Sequence, residues 1–413
     1  MGLATGLCKE ISPPVRKKGK VGPAGKTPFQ QRPSYLIVSV PTESALKREL
    51  VWLGVSGSAA LCGGGALLGL YWHPERALQW LAQTLLIWLF LLHQAWLRLP
   101  LNRPAADAPL YSDLGWGNRL TLLRACLIAA TGGFLLQPWP EGRWLAWVPG
   151  WVYFFGAIFD RVDGYVARRT NHSSLFGNDL DNVSDALGLA IVSLLALGYG
   201  QIHWSYLLFG VAYYLFHCGL MWRRFKGLPV YPLPPYMHRR AWAGFQMGFL
   251  VVAIWPWFYP PTTTLAGFAF MLPALIGFAV DWLFVSGRLD PDAPRVKESL
   301  RRLVSFSALY FQPLMRLLIL GLLLWSLQRN SFEPGWFMLS GFLLATAMIV
   351  FGIAGRAACL AMIGLVASYY AEITMTTIEA VLYCCIVWVM LLGTGRFSLW
   401  QPDQAWLHRY DGA

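Results

Sequence analysis

Residues 159–185 read FDRVDGYVARRTNHSSLFGNDLDNVSD and hold five of the 21 acidic residues of a 413-residue chain. Apolar runs lie on both sides of this stretch, and the chain as a whole is 56% hydrophobic and 13% charged. A soluble domain carries about 25% charged residues. The sequence therefore predicts an integral membrane protein of the all-α class that gathers carboxylates in one place.

The net charge of +12 does not indicate a nucleic-acid partner, because Lys and Arg lie in an N-terminal tail and in short connections between apolar runs. Basic residues in such positions orient a membrane protein and contact anionic lipid. Residues 1–49 are predicted to be a disordered basic tail on the cytoplasmic side rather than a signal peptide, since no apolar run of secretory length precedes the first long one.

Apolar runs of about 20 residues, long enough for a membrane helix, occur about twelve times. They lie at about 50–71, 78–97, 118–137, 145–167, 177–199, 204–222, 241–258, 264–285, 303–326, 335–354, 357–374 and 377–394. Alternate connections between them are basic, which predicts a multi-pass protein of the cell (inner) membrane with both termini and the acidic stretch cytoplasmic.

Linkers divide the chain into five predicted segments. These are the tail at 1–49, a two-helix membrane extension at 50–105, a six-helix domain at 106–287, a charged linker at 288–302, and a four-helix membrane domain of unknown role at 303–413.

Four carboxylates of the acidic stretch fall at helical spacing on two neighbouring helices. Asp160 and Asp163 stand at i and i+3, and Gly177, Asp181 and Asp185 repeat at steps of four. Four carboxylates in one pocket require positive charge, and an all-oxygen donor set favours Mg²⁺, Mn²⁺ or Ca²⁺. The pattern predicts a site for two divalent cations, which is an arrangement that clamps a phosphoryl group.

The small residues beside these carboxylates indicate what binds there. Gly164 and Ala167 remove bulk, so that a nucleotide can approach the helix backbone, and Arg168 can neutralise phosphate. The alternative is a set of interhelical salt bridges or a solvated loop at the helix ends. Asp179 falls outside the pattern and is expected to have no role in the site.

Written out, the stretch is D-x2-D-G-x2-A-R-x8-G-x3-D-x3-D. This pattern resembles the signature of the CDP-alcohol phosphotransferase family, and the resemblance covers the six-helix block. Members of this family move a substituted phosphate from a CDP-linked donor to an alcohol and release CMP.

The resemblance implies that Asp160, Asp163, Asp181 and Asp185 are ligands of two divalent cations, Mg²⁺ or Mn²⁺. It also implies that Asp185 is the general base on the acceptor hydroxyl. The resemblance further implies a set of residues that bind the CDP donor: Gly164, Ala167, Arg168, Gly177, Asn118, Thr121 and Arg124. Gly177 is expected to allow close packing, and the last three come from the segment GNRLTLLRA.

The partners expected are the lipid membrane, a CDP-linked donor and an alcohol acceptor. CDP-diacylglycerol is the favoured donor, with a soluble CDP-alcohol as the alternative, and the family resemblance favours a homodimer. Basic residues after the run at 204–222 are candidates for binding a phosphorylated acceptor, although anchoring to anionic headgroups explains them equally well. They are Arg223, Arg224, Lys226, Arg239 and Arg240.

The four apolar helices of the last block are followed by a stretch that includes LLGTGRFSLW, residues 391–400, which resembles the DoxX-like membrane family. Its ionisable residues Arg316, Arg356, Glu372 and Glu379 are predicted to be either functional or helix-end anchors. Two alternatives for the whole chain are a cation-coupled transporter that uses the aspartates, and a catalytically idle scaffold. A transporter is expected to place carboxylates near the midplane and to show inverted repeats, and the sequence displays neither feature.

Overall fold

The computed structural model describes residues 43–142, 144–233, 238–329, 334–371 and 373–400, with 238–241 described by their backbone only. Within these ranges the regular secondary structure is helical, apart from an isolated bridge between Ile353 and Trp400. The predicted all-α class is therefore confirmed.

The first nine α-helices are α1 (Glu43–Tyr71), α2 (Pro74–Arg98), α3 (Gly115–Gly132), α4 (Val148–Arg169), α5 (Leu175–Gly198), α6 (Leu207–Gly210), α7 (Ala212–Phe225), α8 (His238–Ala253) and α9 (Thr262–Val285). They are followed by α10 (Pro294–Phe306), α11 (Gln312–Gln328), α12 (Trp336–Phe351), α13 (Gly355–Tyr369) and α14 (Thr377–Leu392). A π-helical turn, Ser307–Phe311, joins α10 to α11 without a break.

Twelve membrane spans are not supported, although each predicted apolar run coincides with helix. Among the described residues, five helices are long and apolar enough to cross a membrane. These are α1, α2 with its short extension, α5, α9 and the continuous helix Pro294–Gln328. A sixth is obtained if Trp204–Gly210 and Ala212–Phe225, which meet at 52°, form one broken span.

The remaining helices fail as spans for two different physical reasons. Helices α12, α13 and α14 contain 16, 15 and 16 residues, so each is only about 22 to 24 Å long, against about 30 Å of hydrocarbon. The second half of α4 contains five charged residues, and α3 carries polar side chains that it buries against other helices. Apolar runs in the sequence therefore mark buried helices as well as spans.

Helix α3 is the centre of the region that carries the acidic stretch. It packs against α2, α4 and α5, and most of its residues are buried. The outer layer is formed by α1 and α2, which pack on each other and leave many large apolar side chains exposed. The polar helix is thus enclosed by protein, while α1 and α2 present the apolar surface expected of lipid-facing helices.

The predicted boundary of the tail at residue 49 differs from the structure, because α1 begins at Glu43. Residues 1–42 lie outside the described residues. Glu49 lies in α1 and binds the start of α3, where its carboxylate accepts from the backbone N–H of Leu114 at 2.9 Å and from Arg119 Nε at 2.8 Å. An acidic group at a helix N-terminus is favourable, so α1 helps to fix the position of α3.

The C-terminal helices α11 to α14 pack on one another, and α14 also contacts α9. Arg316 is buried in this bundle and donates to backbone carbonyls. It donates to Thr394 O at 2.8 Å, to Phe397 O at 3.2 Å and to Val350 O. These contacts tie the segment after α14 to α11 and α12, which gives Arg316 a structural role.

Two further ionisable residues of this block have structural contacts. Glu379 forms a capping box with Thr376 at the start of α14, and Arg356 donates to Met390 O at 3.1 Å. Glu372 lies outside the described residues. These contacts account for Glu379 and Arg356 as residues that fix helix ends, which was one of the two predicted interpretations.

Candidate functional site

The acidic stretch forms the end of α4, a short turn and the start of α5. Ser174 is the N-cap of α5, and its hydroxyl accepts from the backbone N–H of Gly177 at 3.0 Å. This cap fixes where α5 starts, and therefore where the aspartates in its first three turns point. Sequence reasoning missed Ser174, although a Ser immediately before an apolar helical run is a common start signal.

Three carboxylates from these two helices meet. Asp160 of α4 and Asp181 and Asp185 of α5 each contribute an oxygen, and the three oxygens lie within 4.8 Å of one another. At this distance and an effective dielectric constant of about 20, two unit charges repel by at least ~3 kcal/mol. The group therefore requires a cation, and its three oxygen donors suit a hard divalent metal ion.

Asp163 lies outside this group of three, although the sequence placed it with the other ligands. Its side chain is buried, and one carboxylate oxygen accepts from Thr121 Oγ1 of α3 at 2.9 Å. The other oxygen accepts from the backbone N–H of Gly164 at 2.5 Å. Thr121 thus fixes Asp163 instead of pointing toward an open pocket.

Arg124 supplies positive charge to the three carboxylates. Its side chain, which is only 2% exposed, forms an ion pair with Asp160 at 3.1 Å and also pairs with Asp181 and Asp185. Arg124 comes from α3, so three helices converge on one point. The sequence placed Arg124 with the CDP donor, whereas the structure shows contacts with the carboxylates themselves.

Asn118, one turn before Thr121 on α3, is buried in a hydrogen-bond network. Its Nδ2 atom donates to Leu114 O at 2.7 Å, to Ser174 Oγ at 2.9 Å and to Asn102 Oδ1 at 3.1 Å. These contacts join the start of α3 to the start of α5. Asn102 was not predicted from the sequence, where an isolated Asn in a loop gives no signal.

The small residues of the signature have different surroundings. A Cβ atom on Gly177 would lie 2.3 Å from Asn118 Oδ1, so Gly177 permits the close approach of α5 to α3. Ala167 contacts α3 in the same way, because a Cβ on Gly117 would lie 2.7 Å from the Cβ of Ala167. Gly117 was missed by the sequence analysis, since its partner lies on a distant helix.

Gly164 is the signature residue with open space around it. A Cβ atom there would meet the Arg168 side chain alone within 4 Å, with Nη1 at 3.2 Å. Arg168 is exposed and reaches back over Gly164, one turn earlier on α4. This surface lies next to Asp163, on the same helix as Asp160.

The remaining signature-stretch aspartate, Asp179, is held outside the group by an ion pair. Its Oδ2 atom accepts from Arg98 Nε of α2 at 2.6 Å. Asp179 therefore joins α5 to the outer layer of helices. Its contacts are those of an ordinary structural carboxylate.

The candidate acceptor residues are described only in part. Arg223 donates through Nη2 to Pro229 O at 2.7 Å and to Ser286 O at 3.2 Å, so it holds the loop after α7 against the end of α9. Arg224 is exposed, and Lys226 Nζ lies 5.1 Å from the centre of the Trp222 ring. The side chains of Arg239 and Arg240 lie outside the described side chains.

Together, the fold and the site define an all-α membrane protein with a three-carboxylate group that could hold a metal ion. Residues 116–282 match the family model described as CDP-alcohol phosphatidyltransferase. This segment makes up about two fifths of the chain, and over it the chain is similar to the CDP-alcohol phosphatidyltransferase family. The resemblance inferred from the aspartate signature is confirmed.

Curated relatives share shorter segments. Choline/ethanolaminephosphotransferase 2 of Arabidopsis thaliana is 38% identical over 82 residues, which are 19% of this chain and 21% of the relative. CDP-diacylglycerol–glycerol-3-phosphate 3-phosphatidyltransferase of Pseudomonas fluorescens is 37% identical over 78 residues, which are 19% of this chain and 38% of the relative.

The chain thus spans well under half the length of these relatives. No solved structure matches. The family match ends at residue 282, and the DoxX-like resemblance of the last block is not supported.

Proposed function

We propose that this protein is a membrane transferase that moves a phosphatidyl group from CDP-diacylglycerol to an alcohol, with release of CMP. The observation that carries the proposal is the group of three carboxylates from α4 and α5, within 4.8 Å of one another, inside the segment that matches the family. A Pseudomonas fluorescens relative is named for CDP-diacylglycerol and glycerol 3-phosphate, which favours a lipid donor and a phosphorylated acceptor.

Asp160, Asp181 and Asp185 are proposed as ligands of two divalent cations, Mg²⁺ or Mn²⁺, with Asp163 as the fourth carboxylate of the site. Their donor atoms are all carboxylate oxygens, which suits these ions. When bound, the cations neutralise the diphosphate of the donor and the charge that develops on the leaving CMP. Thr121 holds Asp163 in place through the 2.9 Å hydrogen bond.

Asp185 is proposed as the general base. The acceptor oxygen forms a bond to the phosphorus that carries the diacylglycerol group, the bond from that phosphorus to the CMP oxygen breaks, and the hydroxyl proton passes to Asp185. This direct displacement forms no covalent enzyme intermediate. The side chain of Asp185 is 15% exposed, which limits access of bulk water to the proton acceptor.

The CDP-linked donor is proposed to lie over Gly164, which has no side chain to obstruct it. Arg168 is proposed to bind the phosphates of the donor. Arg124 of α3 contributes positive charge through its contacts with the carboxylates. Ala167 and Gly177 act indirectly, since both contact α3 and thereby set the distances between the helices that carry the carboxylates. The exposed Arg224 and Lys226 are candidates for the phosphate of the acceptor.

A cytoplasmic location is proposed for the site and for both termini, because basic residues follow the site at the end of α4 and lie in the N-terminal tail. A homodimer is proposed from the family. A soluble CDP-alcohol is the alternative donor, because a relative is named as a choline/ethanolaminephosphotransferase. A cation-coupled transporter is a weaker alternative, since residues 116–282 match a transferase family.

The test is CMP release from the purified full chain, with Mn²⁺ or Mg²⁺, CDP-diacylglycerol and a series of alcohols. Metal-dependent release that Asp185→Asn abolishes is the expected result. Asp179→Asn is the matched control, because this carboxylate lies on the same helix but pairs with Arg98 outside the group of three. Absence of metal-dependent CMP release from any lipid or soluble CDP donor would contradict the proposal.

A further inference from the structure

Helix α10 lies outside the segment that matches the family and has no role in the proposed chemistry. Residues 288–302 were predicted to be a charged linker, but from Pro294 onward the segment is helical and continues through the π-helical turn into α11. None of the residues of α10 is buried. Its first turn contacts the protein through Val296, which packs partly against the apolar cluster that includes Phe284 and Val285.

The exposed surface of α10 has an apolar stripe with basic residues along one edge. Leu300, Leu303 and Val304 fall on one face at helical spacing, and they are 37%, 64% and 64% exposed. At 100° per residue, one edge of this face carries Lys297 and Arg301. The only acidic residue of α10, Glu298, lies on the far side of the helix together with Arg302, and the two side chains form an ion pair at 2.9 Å.

The length of the continuous helix places this stripe at the membrane surface. Pro294–Gln328 contains 35 residues and is therefore about 52 Å long, whereas the hydrocarbon layer is about 30 Å thick. About 15 residues must lie outside the hydrocarbon. They are the first ones, because the charges of the helix are concentrated in α10.

We propose that α10 is a lipid-contacting helix whose Leu300, Leu303 and Val304 face enters the headgroup layer of an anionic membrane, with Lys297 and Arg301 on the acidic headgroups. Amphipathic helices with an apolar face and basic flanks bind anionic bilayers in this way. The lipid surface is favoured over a protein partner because α10 runs directly into a candidate span, so the bilayer is adjacent to the stripe.

The experiment uses the full chain in nanodiscs that contain either phosphatidylglycerol or phosphatidylcholine. A photoreactive benzoylphenylalanine is placed at Leu303 in one variant and at Glu298 in the matched control, and the cross-linked products are identified by mass spectrometry. Lipid adducts are expected at position 303 in phosphatidylglycerol, with few at position 298. In phosphatidylcholine the yield of lipid adducts at position 303 should fall. In phosphatidylglycerol, adding Arg301→Gln should lower that yield by roughly fivefold, because each basic residue near the surface contributes about 1 kcal/mol to the attraction.

Three results would overturn the inference. They are equal lipid adducts at positions 303 and 298, equal yields in the two lipids, and cross-links from position 303 to a second copy of the chain. Size-exclusion profiles of each variant in nanodiscs show whether the chain remains folded, and the inference does not depend on the proposed activity. Loss of CMP release and loss of lipid adducts are therefore separate outcomes.

Discussion

Replacing Arg124 with Gln should have opposite effects on the stability of the protein and on its affinity for divalent cations. Arg124 is buried between Asp160, Asp181 and Asp185. The 3.1 Å pair with Asp160 alone has a gross attraction of about 5 kcal/mol at an effective dielectric constant of about 20. Without the guanidinium, three carboxylates would repel one another with no counter-charge from α3.

The net effect is smaller than the gross attraction, because Asp181 is 35% exposed and water replaces part of the lost interaction. We expect Arg124→Gln to lower the free energy of unfolding by about 2 to 3 kcal/mol in the absence of added metal, near the lower end of the cost of breaking a buried ion pair. In the Arg124→Gln variant, a divalent cation that binds the same carboxylate oxygens does not have to compete with the guanidinium. If about 2 kcal/mol is recovered on binding, Mn²⁺ affinity rises by roughly thirtyfold.

The assay is a titration of the full chain with Mn²⁺, with free Mn²⁺ followed by electron paramagnetic resonance, alongside thermal unfolding with and without the ion. Arg124→Lys retains the charge and should bind Mn²⁺ about as the parent protein does. Arg119→Gln is the matched control on the same helix, since Arg119 pairs with Glu49 and Asp113. Unchanged or weaker Mn²⁺ binding by Arg124→Gln, in a variant that elutes as the folded parent does, would refute this reasoning.

Two further substitutions test the contacts around the carboxylates. Thr121→Val removes the hydroxyl that donates to the buried Asp163 and should lower the free energy of unfolding by about 1 to 3 kcal/mol; an unchanged denaturation midpoint would show that this hydrogen bond is unimportant. Gly177→Ala places a methyl group 2.3 Å from Asn118 Oδ1 and should cost about 1 to 3 kcal/mol. Gly198→Ala, in the same helix with nothing within 4 Å of its Cβ position, should cost nothing, and equal effects of the two glycine substitutions would contradict the packing explanation.

The helices were well predicted from the sequence, because apolar runs and their punctuation are local features. Each of the predicted runs coincides with helix, and the aspartate pattern from Asp160 to Asp185 indicated the same family as the model that matches residues 116–282. Spacing along two helices was sufficient for this, since residues at i and i+4 share a helix face whatever surrounds it.

The arrangement inside the site was less predictable, because it depends on contacts between distant parts of the chain. Helical spacing put Asp163 with Asp160, yet Thr121 of α3 holds Asp163 apart from the group of three. Likewise, the sequence could not show that Arg124 reaches the carboxylates. These contacts depend on the side-chain rotamers of Asp163 and Arg124 and on the position of α3 beside α4 and α5. Neither can be read from a local sequence pattern.

The number of spans was overestimated because an apolar run in the sequence can be surrounded either by lipid or by other helices, and hydropathy does not distinguish the two. Helix α3 illustrates the difference, since it buries an Asn, a Thr and an Arg yet lies among α2, α4 and α5. Polar side chains in the membrane are tolerated where other protein groups satisfy them, and the carboxylates of α4 and α5 do so here. The outer helices α1 and α2 provide the apolar surface of this region. The polar residues of α3 and α4, because of which these helices do not meet the criteria for spans, are the residues that form the site.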